Sequence, residues 1–292
     1  DVVVLVDSQE FSALVARRLR RKGAAMPVLL YVGPSVWGRA PQRAARIRPL
    51  YDEVMAVLPF EPAVMRRLGG PPTSYIGHPA LMEATLRPAN PARGPVLLLP
   101  GSRPGELRRH LPLLAELVAR VKDRPEVSFF VLPTLPDLVG DLTSATAGWA
   151  APIRITADRG ERRALYDGAV LAVVAAGTAT LELALSGVPM VVFYRMDGAQ
   201  ARGFARLGRP NASLPNIVLG ETAVPELILA TPDPAPLLAA AEALLADAAR
   251  RDGQRAAFAR LWTMMDQGVE GEPRQDPAIR VLGHLRRMMP GL

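Results

Sequence analysis

The feature that most limits what this chain can fold into is an alternation of short β-branched runs with longer runs of helical spacing, and it occurs twice. Residues 2–6, 28–32, 54–58 and 75–76 read as strands, and residues 8–22, 42–50 and 61–68 between them read as helices. Gly23, Gly33-Pro34 and Gly69-Gly70-Pro71-Pro72 supply the breaks. Strands that are apolar throughout and alternate with helices predict parallel sheets covered by helices on both faces. The stretch Arg87-Pro88-Ala89-Asn90-Pro91-Ala92-Arg93-Gly94-Pro95 reads as a linker, because proline and glycine suit neither element. Beyond it the alternation restarts, with strands at 96–99, 127–132, 153–155, 171–174 and 189–194. A helix is expected over 111–121, where Leu111, Leu114, Val118 and Val121 recur at helical spacing and Pro112 suits the first turn. After Tyr194 the chain becomes helical, with a long alanine and leucine run over 234–249. Two α/β domains are expected, one over residues 1–90 and one over 91–275, followed by a helical segment over 276–292.

Composition narrows the chemistry. The chain has no cysteine, which excludes disulfides, thiolate catalysis and Cys-ligated zinc. His78, His110 and His284 stand far apart without an HExxH pattern, so no histidine metal site is expected. No apolar run approaches the ~20 residues that span a bilayer. The chain begins directly on a strand, at Asp1, and residues are expected to precede it. The net charge of +7 is unevenly placed. From Phe11 to Tyr51 there is no acidic residue, but there are Arg17, Arg18, Arg20, Arg21, Lys22, Arg39, Arg43, Arg46 and Arg48. That block reads either as a surface for anionic headgroups or phosphates or as a solvated helix face. With no recognisable nucleic-acid module, no nucleic-acid partner is expected.

In open parallel sheets ligands bind beyond the carboxyl ends of the strands, so the loops there carry the candidates. Leu99-Pro100-Gly101-Ser102-Arg103 runs from a strand into a small-residue loop, where Arg103 offers a planar cation suited to phosphate oxygens. Ala176-Gly177-Thr178-Ala179 follows a buried strand, with Thr178 placed to cap the next helix and its amides placed to hold a diphosphate. Glu182, one turn on, reads either as a ribose ligand or as a favourable charge near a helix start. Asp7 closes the first strand and reads either as a general base or as a helix cap. His78, in Gly77-His78-Pro79, reads either as a sugar or phosphate contact or as a hinge residue. Asn216 offers both ends of its amide to a ligand. No GxGxxG, P-loop or GxSxG pattern occurs, so a nicotinamide fingerprint, a P-loop and a nucleophile elbow are unsupported.

Read in order, these segments resemble the lipid-A-disaccharide synthases, a family of GT-B glycosyltransferases. The matching pieces are Val6-Asp7 with Phe11, Tyr31-Val32-Gly33-Pro34-Ser35-Val36-Trp37, Leu58-Pro59-Phe60-Glu61 and Ile76-Gly77-His78-Pro79. They continue with Leu99-Pro100-Gly101-Ser102-Arg103, Gly177-Thr178-Ala179-Thr180-Leu181-Glu182 and Val188-Pro189-Met190-Val191-Val192 with Tyr194-Arg195, then Ser213-Leu214-Pro215-Asn216 and Val224-Pro225-Glu226-Leu227. The resemblance implies two Rossmann-like parallel-sheet domains facing a cleft, the first lacking its opening strand–helix units, and a C-terminal helix that returns to the first domain. It also implies an inverting transfer, without metal or cofactor, from UDP-2,3-diacylglucosamine to 2,3-diacylglucosamine 1-phosphate. The setting it implies is the inner face of the inner membrane of a Gram-negative cell, with the enzyme held peripherally. Asp7 matches the family's base, and Arg103 and Asn216 match residues important for activity. Gly101, Ser102, Arg103, Gly177, Thr178, Ala179, Glu182 and Asn216 fall on the donor side, and Trp37 and His78 on the acceptor side. The departures lie on the acceptor side too. After the aspartate the family reads Ala-Pro-Asp-Phe-Asn, where this chain has Ser8-Gln9-Glu10-Phe11-Ser12, and after the tryptophan it reads Ala-Trp, where this chain has Gly38-Arg39. Two competing readings stand beside it. One is a non-catalytic or truncated relative that binds a UDP-sugar without turnover, motivated by intact donor loops next to an altered acceptor segment. The other is another GT-B enzyme such as a UDP-GlcNAc epimerase, against which the Pro-Ser-Val-Trp and Ser-Leu-Pro-Asn segments argue.

Overall fold

The β-branched runs of the first part become four parallel strands in sequence order: β1 (Val3–Val6), β2 (Val28–Tyr31), β3 (Glu53–Ala56) and β4 (Thr73–Tyr75). The helices α1 (Gln9–Arg21), α2 (Arg43–Ile47) and α3 (Glu61–Arg67) connect them, and a short α4 (Ala80–Glu83) follows β4. The structure is a computed structural model describing residues 1–206 and 211–288. On one sheet face Val28, Leu30 and Val54 bury against Ala13 and Ala16 of α1, Ile47 of α2 and Met65 of α3. The alanines let α1 lie close to the strands.

The other face, around Leu29, Met55 and Ile76, meets Val281 of the last helix. That helix is also tied by charge. Glu53, buried on β3, takes two bonds from Arg280, at 2.8 and 2.9 Å, and one from His284 at 2.6 Å. Burial pushes the Glu53 carboxyl up, but bonds from Arg280, Ser74 and His284 outweigh it and hold it below its usual range.

In the second unit six parallel strands form: β5 (Gly94–Leu99), β6 (Val127–Pro133), β7 (Ile153–Thr156), β8 (Leu171–Ala175), β9 (Met190–Arg195) and β10 (Glu226–Leu229). Their order across the sheet is β10-β9-β8-β5-β6-β7. The chain therefore reverses its direction of growth between β5 and β8, and at such a switch point a crevice opens beyond the strand ends. The helices α5 (Pro104–Val121), α6 (Val139–Thr146), α7 (Arg159–Gly168), α8 (Ala179–Leu185), α9 (Gly198–Arg206), α10 (Leu214–Leu219), α11 (Ala235–Ala246) and α12 (Ala248–Gln267) surround or extend this sheet. Leu114, Leu117 and Val118 of α5 and Leu237, Ala241 and Leu244 of α11 bury against Val96, Leu98 and Val191. A small hairpin, β11 (Gly268–Val269) with β12 (Glu272–Pro273), and α13 (Pro277–Met288) close the described chain.

The units divide at Leu81/Met82 and at Trp262/Thr263, ahead of the 90/91 and 275/276 read from composition. The proline-rich stretch belongs to the second unit because Arg87 is buried there, donating to the carbonyls of Tyr166 (3.1 Å) and Ala169 (2.6 Å). Residues 289–292 of the expected final segment lie outside the described residues. Two helix expectations need correction. The helix expected from 111 starts at Pro104, where proline suits the first position and the Glu106 carboxylate caps the start by accepting from the Arg103 amide (3.4 Å) and guanidinium (2.8 Å). Pro112 is interior to it and sits on the exposed side. The run over 234–249 is broken at Asp247, whose extended backbone ends α11 and whose carboxylate accepts the Ala249 amide at 2.9 Å to open α12.

Candidate active site

At the switch point the loops after β5 and β8 wall one cavity of about 350 Å³, lined by Gly101, Ser102, Arg103, Gly177, Thr178 and Ala179. Pro133 at the end of β6, Thr134 and Leu135 just beyond it, and Arg162 of α7 complete it. Among the described residues the amides of Gly101, Ser102, Gly177, Thr178 and Ala179 make no hydrogen bond within the fold, so their N–H groups remain for a ligand. Thr178 does not cap α8 with its side chain, as its sequence position suggested. Thr180 closes the turn instead, its hydroxyl donating to the Gly177 carbonyl at 2.7 Å, which leaves Thr178 exposed. Glu182 stands behind the wall and pairs with Arg162 at 3.7 Å.

The first loop is held by residues that no motif marked. Gly101 has φ +91, and a Cβ there would strike the Glu106 carboxylate. That buried carboxylate accepts from the Arg103 guanidinium at 2.8 Å and from the Tyr194 hydroxyl at 3.3 Å. Burial pushes Glu106 up, but the Arg103 and Tyr194 bonds outweigh it and hold it low. His110, fully buried, donates from Nδ1 to the Pro100 carbonyl at 2.6 Å and accepts the Arg195 amide at Nε2 at 3.0 Å. This pair of partners requires the neutral Nδ1–H tautomer, and burial lowers its pKa accordingly. The Arg103–Glu106 spacing is a signal the sequence offered; the partners of His110 had none.

Asn216 does not line the cavity. Its Nδ2 donates to the Val224 carbonyl (2.9 Å) and to Glu226 (2.7 Å), and its Oδ1 accepts the Ala223 (2.8 Å) and Val224 (3.0 Å) amides. That fills the amide's whole hydrogen-bonding capacity. Glu226 also accepts from the Ser213 amide (3.0 Å) and hydroxyl (2.5 Å), so the Ser-Leu-Pro-Asn and Val-Pro-Glu segments form one knot.

In the first unit Asp7 stands at the carboxyl end of β1 and borders a cavity of about 170 Å³ with Gln9, Val32, Ser35, Arg39 and Arg43. Asp7, Ser8 and Val32 all have positive φ (48°, 42° and 69°). For a β-branched residue such as Val32 this conformation stores about 1–3 kcal/mol of strain, a cost that clusters at ligand sites. Gln9 steadies it, donating to the Val32 carbonyl at 2.7 Å. Asp7 does not cap α1: among the described residues its carboxylate makes no hydrogen bond or ion pair, and the capping position is Ser8. Trp37 and His78 lie outside this cavity. Trp37 donates from Nε1 to buried Glu61 at 2.9 Å and meets Phe60 edge-on at 5.5 Å. His78 accepts the Ala80 amide at Nδ1 at 3.1 Å, and burial lowers its pKa.

Comparison with known proteins supplies the family and the fold. The model of the family described as lipid-A-disaccharide synthetase matches residues 1–272. A lipid-A-disaccharide synthase of Rhodopseudomonas palustris (strain BisB18) is 39% identical over all of this chain and 76% of its own length. Among solved structures, the calicheamicin glycosyltransferase superposes over 99% of this chain and 74% of its own, with a TM-score of 0.59 at 18% identity. MurG of Acinetobacter baumannii does so over 99% and 74%, with a TM-score of 0.51 at 15% identity. The two parallel-sheet units are those of the GT-B fold, and the chain belongs to the lipid-A-disaccharide synthetase family, hexosyltransferases of lipid A synthesis.

Proposed function

We propose that the chain moves 2,3-diacylglucosamine from UDP to 2,3-diacylglucosamine 1-phosphate with inversion, giving the β-1,6-linked disaccharide and UDP. The observation that carries this reading is the switch-point cavity, where Arg103 and the unbonded amides of Ser102, Gly177 and Thr178 converge. In this reading Asp7 takes the proton from the attacking acceptor hydroxyl. The hydroxyl oxygen bonds to the anomeric carbon as the bond from that carbon to the diphosphate breaks. The negative charge that grows on UDP is met by Arg103 and the loop amides. Glu182 acts indirectly, by holding Arg162 of the cavity wall in place. Asn216 acts indirectly, by fixing the knot around Glu226, and Trp37 and His78 shape the acceptor side.

Among the described residues no helix is long and apolar enough to cross a membrane. We place the enzyme peripherally on the inner face of the inner membrane. Support comes from α1, which exposes Phe11 (64%) and Leu14 (52%) beside Arg17, Arg18 and Arg21. The catalytic assignment is tested with Asp7→Asn. Turnover is expected to fall by about 10²–10⁴ while UDP affinity, read by calorimetry, stays within about twofold of the parent. Parallel loss of both would make Asp7 a structural residue.

A further inference from the structure

The second unit contains another hollow that shares no residue with the donor cavity. It measures about 350 Å³ and is bordered by Arg108, Arg109, Pro112, Glu116, Arg195 and Pro234. Three guanidiniums around one hollow repel each other, a cost that a bound anion relieves. Arg120, on the same helix, pairs with Glu242 at 2.8 Å. Among the described residues Arg108, Arg109 and Arg195 have no such ion pair, and the one acid at the rim is Glu116.

Two of the three are also held in place. Arg109 donates from Nε to the Arg195 carbonyl at 2.9 Å, which leaves both of its terminal nitrogens unused. Arg195 donates from one terminal nitrogen to the carbonyls of Met196 (2.5 Å) and Ala230 (2.7 Å), which leaves Nε and the other terminal nitrogen unused. Side chains fixed before a ligand arrives lose less freedom on binding it. Planar guanidiniums bordering one hollow suit the oxygens of a phosphate. The proline walls are stiff and carry no N–H that could compete.

We infer that this hollow is a second anion site, built for a phosphate monoester and separate from the donor cavity. One residue lies between it and the donor loop, His110, which joins the Arg195 amide to the Pro100 carbonyl. The phosphate can arrive free or on a lipid headgroup, and the test separates the two.

Inorganic phosphate is titrated into the protein by calorimetry at constant ionic strength, and binding to phosphatidylcholine vesicles is compared with and without phosphatidic acid. Arg108→Glu is the main variant, because Arg108 is exposed and bonds to nothing among the described residues, so the fold does not depend on it. Arg195→Gln is the second, and Arg103→Ala reports on the donor cavity. Arg108→Glu and Arg195→Gln are each expected to weaken phosphate binding by about tenfold or more, with Arg103→Ala leaving it unchanged. If only phosphatidic acid vesicles respond to Arg108→Glu, the site holds and its source is a headgroup. Phosphate binding that is lost in Arg103→Ala and kept in Arg108→Glu belongs to the donor cavity and overturns the inference. So does indifference of both probes to Arg108→Glu.

Discussion

Glu61 shows how much a single buried group can set. Its carboxylate accepts from Trp37 Nε1 at 2.9 Å and from the amides of Leu58 (3.0 Å) and Val57 (3.2 Å). Those donors favour the charged form, but burial opposes it more strongly and pushes the pKa up to about 7. The folded state thus keeps a proton that the unfolded chain releases near its ordinary value of 4.5. The contribution to stability is full below that value and is lost as pH rises through about 7, a change of roughly 3 kcal/mol. Glu61→Gln, which stays neutral, should remove this slope. Denaturant midpoints of parent and variant should converge near pH ~5 and separate by pH ~8, with the parent losing more. Parallel curves would mean that Glu61 is charged throughout. The sequence had placed Trp37 and Glu61 in two separate family segments, and the bond between them left no pattern to read. Asn216 is the opposite lesson. Its position was legible, but its work was not, because an asparagine that grips its own loop and one that grips a ligand have the same letter.

At the scale of elements, what the residues announced was the direction and order of strands, since unbroken β-branched runs are buried on both faces. The loops of the donor cavity followed from that, because their small residues sit where parallel strands end. Helix starts were less legible. Pro112 resembles a first-turn proline, and only the Arg103–Glu106 cap reveals the earlier start. Helix α1 carries a prediction of its own. Ser12, Ala13 and Ala16 turn inward, while Phe11, Leu14 and Arg18 recur outward at helical spacing. A face that is apolar at its centre and basic at its flank binds anionic lipid by both terms. Phe11→Ser with Leu14→Ser should lower binding to anionic vesicles by about tenfold or more, with little dependence on salt. Arg17→Glu with Arg18→Glu should lower it in a way that added salt mimics. Unchanged flotation in both would remove α1 from the membrane surface.

Across the whole molecule the first unit is assembled from two distant stretches of sequence, and nothing in the composition of either showed which residue would fasten them. Glu53 does so, reaching across the back of the sheet to Arg280 and His284 on α13. Its pKa is held below 4.5, the reverse of Glu61, so its sign is reversed as well. The stability it contributes is present above that value and is lost as pH falls through the depressed one. The two glutamates therefore bracket the first unit, Glu53 eroding it on the acid side and Glu61 on the neutral side. Hydrogen exchange of the α13 amides isolates the first of these. In the parent, protection of residues 277–288 should fall as pH drops below the ordinary carboxyl value of 4.5, before the strands of the second unit respond. Glu53→Gln leaves Arg280 as an unpaired cation against the sheet, and breaking a buried pair costs about 3–5 kcal/mol. Protection of α13 should then be low at every pH and show no acid step. Protection of α13 that stays high in Glu53→Gln would assign the fastening to apolar contact through Val281, with the ion pair following the fold instead of holding it.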